Sequence, residues 1–383
     1  MHLGFLTPEY PHPKVLSSAG IGTSLGNMVT ALASEGVAVS VFVYGQKEDA
    51  VFSEDGVKFH LIRQRKFPLA GWYLYRKFVQ NYLNKFIIVD KIEAIEAPDW
   101  TGITAFMKLR CPLVIRMHGS DAYFCKLEGR IQKKKNFWFE KEALKGADQL
   151  LSVSEFTAKQ TSEIFILNKN IGIIPNSVDT NYFSPYQKTI EPDTLLYFGS
   201  LIRKKGILEL AEIFNKVVEQ KPGVKLLLLG KDVKDIFEER STLELFQQKL
   251  SPEAKGRVQH IPGVSYEKIR EYIASAAVVV LPSFAEALPM TWLEAMAMEK
   301  ALVTSNIGWA KEVMIEGETG FTEDPTNHSA YAEKILRLLN DTELSQQMGK
   351  AARQQVINNF STEVVVQRNI EFYRSLRRSP EGD

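Results

Sequence analysis

The stretch "TLLYFGSLIRKKGILELAEIFNKVVEQKPGVKLLLLG", Thr194 to Gly230, constrains the fold more than any other. An apolar strand runs into a glycine loop, a helix follows, and a Pro-Gly turn returns the chain to a second apolar strand. Two strands joined through a helix lie parallel, and a parallel sheet needs cover on both faces. "AAVVVLPSFAEALPMTWLEAMAMEKALVTSN" repeats the plan near residue 280. The amino-terminal half follows it too. His2–Thr7 reads as a strand, a loop with Pro8, Pro11, Pro13, Gly20 and Gly22 follows, and Leu25, Met28, Val29 and Leu32 have helical spacing. Further strands are expected at Ala38–Tyr44, Val57–Ile62, Ile92–Glu96, Leu113–Met117, Gln149–Val153 and Gly172–Ile174.

The 383 residues suffice for two such domains, with a turn-rich linker expected at Tyr182–Asp193. The expected class is α/β, with two Rossmann-like domains facing across a cleft. Residues 1–185 form the first and 190–364 the second, while the apolar face of Phe360–Arg378 returns to the first, so that 365–383 packs back on it. Net charge is +1, which argues against nucleic acid as a whole-molecule partner. Cys111 and Cys125 make no disulfide framework and fit a reducing cytoplasm. The start of the chain reads as a strand rather than a signal peptide, and the apolar run Ile273–Leu281 is too short to span a bilayer.

Four places could carry chemistry. In "PSFAEALPMTWLEAMAM" a strand ends at Pro282, Glu286 lies in the loop, and Pro289 suits the first turn of a helix that includes Glu294. Helix starts attract anions, and two carboxylates there can accept hydrogen bonds from a polyol. The plain alternative has Glu286 capping the helix and Glu294 solvated. In "GSLIRKKG" the cations Arg203, Lys204 and Lys205 precede a helix, where an anion would suit them; an ordinary solvated basic turn is the alternative. Ala19-Gly20-Ile21-Gly22-Thr23 is a glycine loop before the first helix and lacks the dinucleotide spacing. His118 in "HGSD" follows a strand and is either packed in the core or aimed into a cleft. No Asp-x-Asp triplet and no paired His/Cys spacing occurs, so neither a metal nor a cofactor is expected.

Taken together, "MHGSD", "ADQLLSVSEFTAKQ", "IPNSVDTNYFSP", "FGSLIRKKG", "PGVSYEKIREYIASAAVVVLPS" and "EALPMTWLEAMAMEKALVTSNIGWAKEVMIEGETGF" resemble the retaining glycosyltransferases of family GT4, which have the GT-B fold. The likeness runs along almost the whole chain, and Glu286-x7-Glu294 matches the family signature. It implies that Glu286 contacts the hydroxyls of a donor sugar, Glu294 the donor ribose and Lys205 the diphosphate. Leu288, Pro289, Met290 and Thr291 would line the sugar–phosphate site with backbone, and Gly263 and Val264 would face the base. Gly20 and Gly22 match the loop near phosphate and acceptor, and His118 the histidine that approaches the transferring sugar. Two positions depart from the pattern: Ser200 stands where relatives carry Arg, leaving Arg203 to supply that charge, and Ala19 replaces a glycine.

The resemblance implies a metal-independent transfer of sugar from a nucleotide diphosphate to a glycan or lipid-linked hydroxyl, in surface polysaccharide or glycolipid assembly. A phosphorylase, a sugar-nucleotide epimerase and a catalytically silent glycan-binding subunit are the alternatives. Lys58, Arg63, Arg65, Lys66, Arg76, Lys77 and Lys85, with interleaved Trp72, Tyr73, Tyr75 and Tyr82, occupy a span without Asp or Glu. Lys133-Lys134-Lys135 before Phe137-Trp138-Phe139 is a second cluster. These patches, in 58–85 and 133–139, suit peripheral contact with the inner face of a membrane, or else form a solvated basic face over core aromatics.

Overall fold

A computed structural model describes residues 1–185 and 188–376. The chain divides into two compact units, Met1–Ser177 with the chain from Thr362 onward, and Val178–Ser361. The turn-rich segment Tyr182–Asp193 thus falls inside the second unit, and the crossing back comes at Thr362. Residues 377–383, the end of the expected returning segment, lie outside the described residues.

The first unit holds strands β1 (His2–Thr7), β2 (Ala38–Gln46), β3 (Ala50–Glu54), β4 (Val57–Arg63), β5 (Ala94–Pro98), β6 (Leu113–Met117), β7 (Gln149–Ser152) and β8 (Ile171–Ile173). Their order is β3-β4-β2-β1-β5-β6-β7-β8, parallel except for the β3–β4 hairpin. That hairpin was not expected. Asp55 and Gly56 turn it with φ of 49° and 77°, as a two-residue hairpin turn requires. Every residue of β5 and β6 is buried, as suits a sheet covered on both faces.

The helix Thr362–Ser375 completes this unit. Val365, Val366, Ile370 and Tyr373 join the core of Leu3, Phe5 and Val29. Beneath it lies a buried polar knot. Arg116 donates to both oxygens of Glu96 at 2.8 and 3.0 Å and to Asn369 Oδ1 at 2.6 Å, and the Tyr373 hydroxyl donates to Glu96. Two of the four partners come from the returning helix, so the knot fixes how that helix lies on the sheet. Tyr373→Phe removes one donor from a buried carboxylate. It is expected to lower stability by about 1.5–3 kcal/mol in urea unfolding.

The second unit contains β9 (Thr194–Phe198), β10 (Lys225–Leu229), β11 (Val258–Ile261), β12 (Val278–Leu281), β13 (Leu302–Ser305) and β14 (Phe321–Glu323). Their order is β11-β10-β9-β12-β13-β14, all parallel. The chain winds outward from β9 to β11, then restarts on the other side of β9 with β12. Open parallel sheets bind ligands at the carboxyl ends of strands beside such a reversal. Here those ends are Phe198 and Leu281, which lead into the two loops singled out by sequence.

Candidate active site

The loop after β9 is built on close backbone approaches. Gly199 has φ of 132°, and a Cβ on Gly230, at the end of β10, would stand 1.9 Å from the Gly199 carbonyl oxygen. Arg203–Lys205 make a single 3₁₀ turn, Gly206 adopts φ of 71°, and the helix Ile207–Gln220 begins. A Cβ on Gly206 would stand 1.9 Å from the Pro282 carbonyl oxygen, so this loop lies directly on the one after β12. The backbone N–H groups of Phe284 and Ala285 both donate to the Lys204 carbonyl, at 2.8 and 3.2 Å.

This contact brings the charged side chains together. Lys205 Nζ lies 3.1 Å from Glu286 Oε1, an oxygen that also accepts from the Ser283 hydroxyl at 3.1 Å. Both partners are largely buried: their side chains are 22% and 13% exposed. Lys205 and Thr291 both border Gly199, so Lys205, Glu286 and Thr291 share one corner. The helix Met290–Ala297 starts there, with Pro289 before it offering no capping side chain. First-turn N–H groups have no partner within a helix and point toward whatever precedes it.

Glu294 is buried in that helix, and its Oε1 accepts from the Tyr266 hydroxyl at 3.1 Å. Burial pushes its carboxyl up to about 7, against the opposing pull of Tyr266 and Lys205. So Glu286 is paired with a lysine rather than capping the helix, and Glu294 is not solvated; both plain alternatives fail. Tyr266 stacks on Tyr182 at 5.9 Å between ring centroids, with the Arg270 guanidinium over Tyr182. Neither tyrosine was singled out from sequence, because neither belongs to a charged or glycine motif. Leu288 and Pro289 are buried, Met290 and Thr291 half-buried, and Gly263 is exposed beside the half-buried Val264 in the turn between β11 and the helix Tyr266–Ser275.

Arg203, the residue of this corner that could stand in for the missing arginine, is already engaged. Arg203 gives Nε to Asp235 at 2.7 Å and a terminal nitrogen to Asp235 and Glu238 at 3.0 and 3.1 Å. Its charge is balanced by these two carboxylates rather than left facing solvent. Ser200 is exposed, and its carbonyl accepts from the buried Tyr197 hydroxyl at 2.8 Å.

In the first unit, Gly20 and Gly22 do not form a loop; they open the helix Gly20–Ser34. The Gly22 N–H donates to Glu9 Oε1 at 2.7 Å, so a carboxylate of the chain itself sits at this helix start. His118 is half-buried and lines a small recess with Thr7, Ile21, Glu96 and Pro98, at the carboxyl ends of β1, β5 and β6. Burial, aided by nearby Arg116, pushes its imidazole down to about 3. It is therefore neutral at ordinary pH, a hydrogen-bonding group rather than a cation.

Two buried carboxyls hold the "HGSD" turn. Asp99 Oδ1 accepts from the His118 N–H at 3.0 Å, and Glu140 accepts from the N–H groups of Asp121 and Ala122, both at 3.1 Å. Ser120 caps the helix Asp121–Glu128 through its hydroxyl, which accepts from the Tyr123 N–H. Among the described residues, no group of three or more His, Cys, Asp or Glu side chains is arranged to hold a metal.

Residues 18–182 match the family model described as Glycosyltransferase Family 4, and residues 179–355 the one described as Glycosyl transferases group 1. The capsular polysaccharide biosynthesis glycosyltransferase CapM of Staphylococcus aureus is 29% identical over 201 residues, 51% of this chain and 50% of that protein. The alpha-maltose-1-phosphate synthase of Mycolicibacterium smegmatis is 27% identical over 261 residues, 62% of this chain and 66% of its own length. The chain thus spans half to two thirds of these two relatives. A sucrose-phosphate synthase from Thermosynechococcus elongatus superposes with a TM-score of 0.79 at 21% identity, covering 99% and 100% of the two chains. The Anabaena protein HepE, solved in complex with UDP-glucose, gives 0.74 at 18% identity over 98% and 100%. Both solved structures bear on the fold alone.

Proposed function

Since the chain belongs to the group 1, GT4-type glycosyl transferases of GT-B fold, we propose that it transfers a sugar, with retention and without a metal, from a nucleotide diphosphate to an acceptor hydroxyl. The observation that carries this reading is the corner after β9 and β12. There a lysine, a paired glutamate and an uncapped helix start meet at the reversal of a parallel sheet. The donor diphosphate lies against Lys205 and the first turn of Met290–Ala297, with the loop Leu288–Thr291 along sugar and phosphate. Glu286 accepts from sugar hydroxyls and Glu294 from the ribose, while Gly263 and Val264 border the base.

As the anomeric bond breaks, negative charge grows on the departing diphosphate. Lys205 and the helix start stabilise that charge more than they stabilise the intact donor, which is what lowers a barrier. The acceptor hydroxyl attacks from the same face and gives its proton to the leaving phosphate oxygen. Neutral His118, at the carboxyl ends of strands of the first unit, is suited to hydrogen-bond a sugar hydroxyl rather than to act as a cation.

CapM's role in capsular polysaccharide synthesis supports a glycan or lipid-linked acceptor in surface polysaccharide or glycolipid assembly. Cys111 and Cys125 are free, in keeping with a cytoplasmic location. No described helix is long and apolar enough to cross a membrane.

Donor binding should couple to a proton. Hydroxyls donating to Glu294 favour its ionised form, so binding draws its carboxyl below the value near 7 that burial imposes. Below pH 7 the empty site holds a proton that the bound site releases. Affinity for the matching nucleoside diphosphate is expected to fall about tenfold from pH 8 to pH 6, beyond the phosphate's own titration. Glu294→Gln should flatten that dependence. Calorimetry in buffers of different ionisation enthalpy reads the proton, after a thermal-shift panel of UDP, GDP and ADP identifies the base. No shift with any of them would contradict the assigned site.

A further inference from the structure

The two basic and aromatic clusters of the first unit are far apart in sequence, yet the structure joins their aromatic parts. Trp72, in the first turn of the helix Gly71–Val89, lies 5.7 Å from Trp138 and 5.1 Å from Phe139 of the helix Lys134–Gly146. Phe106 closes the group at 4.9 Å from Trp138. Outside this ring cluster large apolar side chains reach solvent: Leu69 is 81% exposed, Trp138 44%, Leu74 39% and Tyr73 38%. They lie at the starts of two helices whose first turns contain no acidic residue.

Several of the expected cations are used internally. Lys58 pairs with Asp90 and Arg65 with Asp49, acids from just outside the counted span. Arg76 is buried, donating to the carbonyls of Trp72, Thr101 and Gly102, and Lys77 donates to the Phe106 carbonyl. Lys66, Lys133, Lys134 and Lys135 are different: all four are exposed and form no ion pair among the described residues. Three of them crowd a helix amino terminus, where the helix dipole repels cations. An arrangement that is costly in the free protein becomes favourable against a negative surface.

We propose that this face, Leu69, Tyr73 and Trp138 flanked by Lys66 and Lys133–Lys135, docks on a bilayer containing anionic lipids. The apolar tips enter the headgroup boundary, where tryptophan and tyrosine place their polar edges among the headgroups. The lysines meet lipid phosphates while their stems lie along the apolar surface. The charge complementarity selects a lipid surface, since no acidic side chain of these two first turns could serve a basic protein partner. The contact stands apart from the transferase reading, and either can fail without the other.

The test is co-sedimentation of the full chain with vesicles of phosphatidylcholine alone and of an equimolar mixture with phosphatidylglycerol. Binding is expected to the mixed vesicles only, and to be lost at 1 M salt, where the screening length is about 3 Å. Lys134→Gln with Lys135→Gln should weaken partitioning ~25-fold, about fivefold per lysine. Leu69→Ser, at a side chain almost wholly in solvent, should weaken it about tenfold. Nucleoside diphosphate release without vesicles should be unchanged in both variants. Equal binding to neutral vesicles, no binding, or unaltered binding by the lysine variant would each overturn the proposal. So would concentration-dependent self-association that Leu69→Ser abolishes, because a second copy would then be the occupant.

Discussion

Lys205→Ala is expected to lower kcat by ~10²–10³ while the melting temperature changes little. The side chain ends 3.1 Å from Glu286 and is partly exposed, so its loss opens no cavity in the core. Glu286 keeps the Ser283 hydroxyl as a donor and so is not stranded. What disappears is a cation paired with Glu286 in the corner where the diphosphate is proposed to lie, while Arg203 is held by Asp235 and Glu238. Its effect belongs in kcat rather than KM, because the charge it meets grows as the anomeric bond breaks. Glu286→Ala should lose turnover in the same range by releasing the sugar from its hydrogen bonds. Steady-state rates beside thermal melts separate these losses from unfolding; near-normal turnover in both variants would sink the assignment.

Gly206→Ala acts on the same corner through the backbone, and should be far more damaging to folding. The residue has φ of 71°, where a Cβ costs about 1–2 kcal/mol. That Cβ would also stand 1.9 Å from the Pro282 carbonyl oxygen and 2.7 Å from its carbon. No rotamer relieves a clash with backbone, so the two loops must separate. The bonds from Phe284 and Ala285 to the Lys204 carbonyl then weaken as well. The sum is expected to exceed about 4 kcal/mol, in the range reserved for disrupted cores and forced backbone. Gly256→Ala is the control: nothing lies within 4 Å of its Cβ position and its φ is −74°. Denaturant unfolding should show a change within about 1 kcal/mol there.

The parallel sheets were legible because their signal is local. Each strand is a short apolar run bounded by turn residues, and each helix carries its own period. The hairpin β3–β4 was missed although Glu54-Asp55-Gly56-Val57 carries an Asp-Gly turn signal; β3 is largely exposed and gives no apolar run. At the candidate site, glutamate spacing and glycines pointed to two loops that the fold lays against each other. The pairing of Lys205 with Glu286 was not readable, because it depends on one loop resting on another some 80 residues away.

Charge states were least visible. Arg203 reads as a free cation until Asp235 is placed beside it, and Lys58 and Arg65 likewise until Asp90 and Asp49 are. His118 reads as titratable until burial and Arg116 make it neutral. Arg116 itself reads as an anomaly in a buried strand until Asn369 and Tyr373 arrive from the far end of the chain. Apart from Arg116, two residues before His118, the partners in these pairs lie 16 or more residues apart, so these charge states depend on tertiary position.

Sugar transfer is tested most directly by nucleoside diphosphate release from the full chain given UDP-, GDP- and ADP-sugars in turn, with a chelator present and no inorganic phosphate. Release is expected from sugars of one base, stimulated by a glycan or lipid-linked acceptor and collapsing by two orders of magnitude or more in Lys205→Ala. No release from any nucleotide sugar, or equal release by wild type and Lys205→Ala, would contradict it.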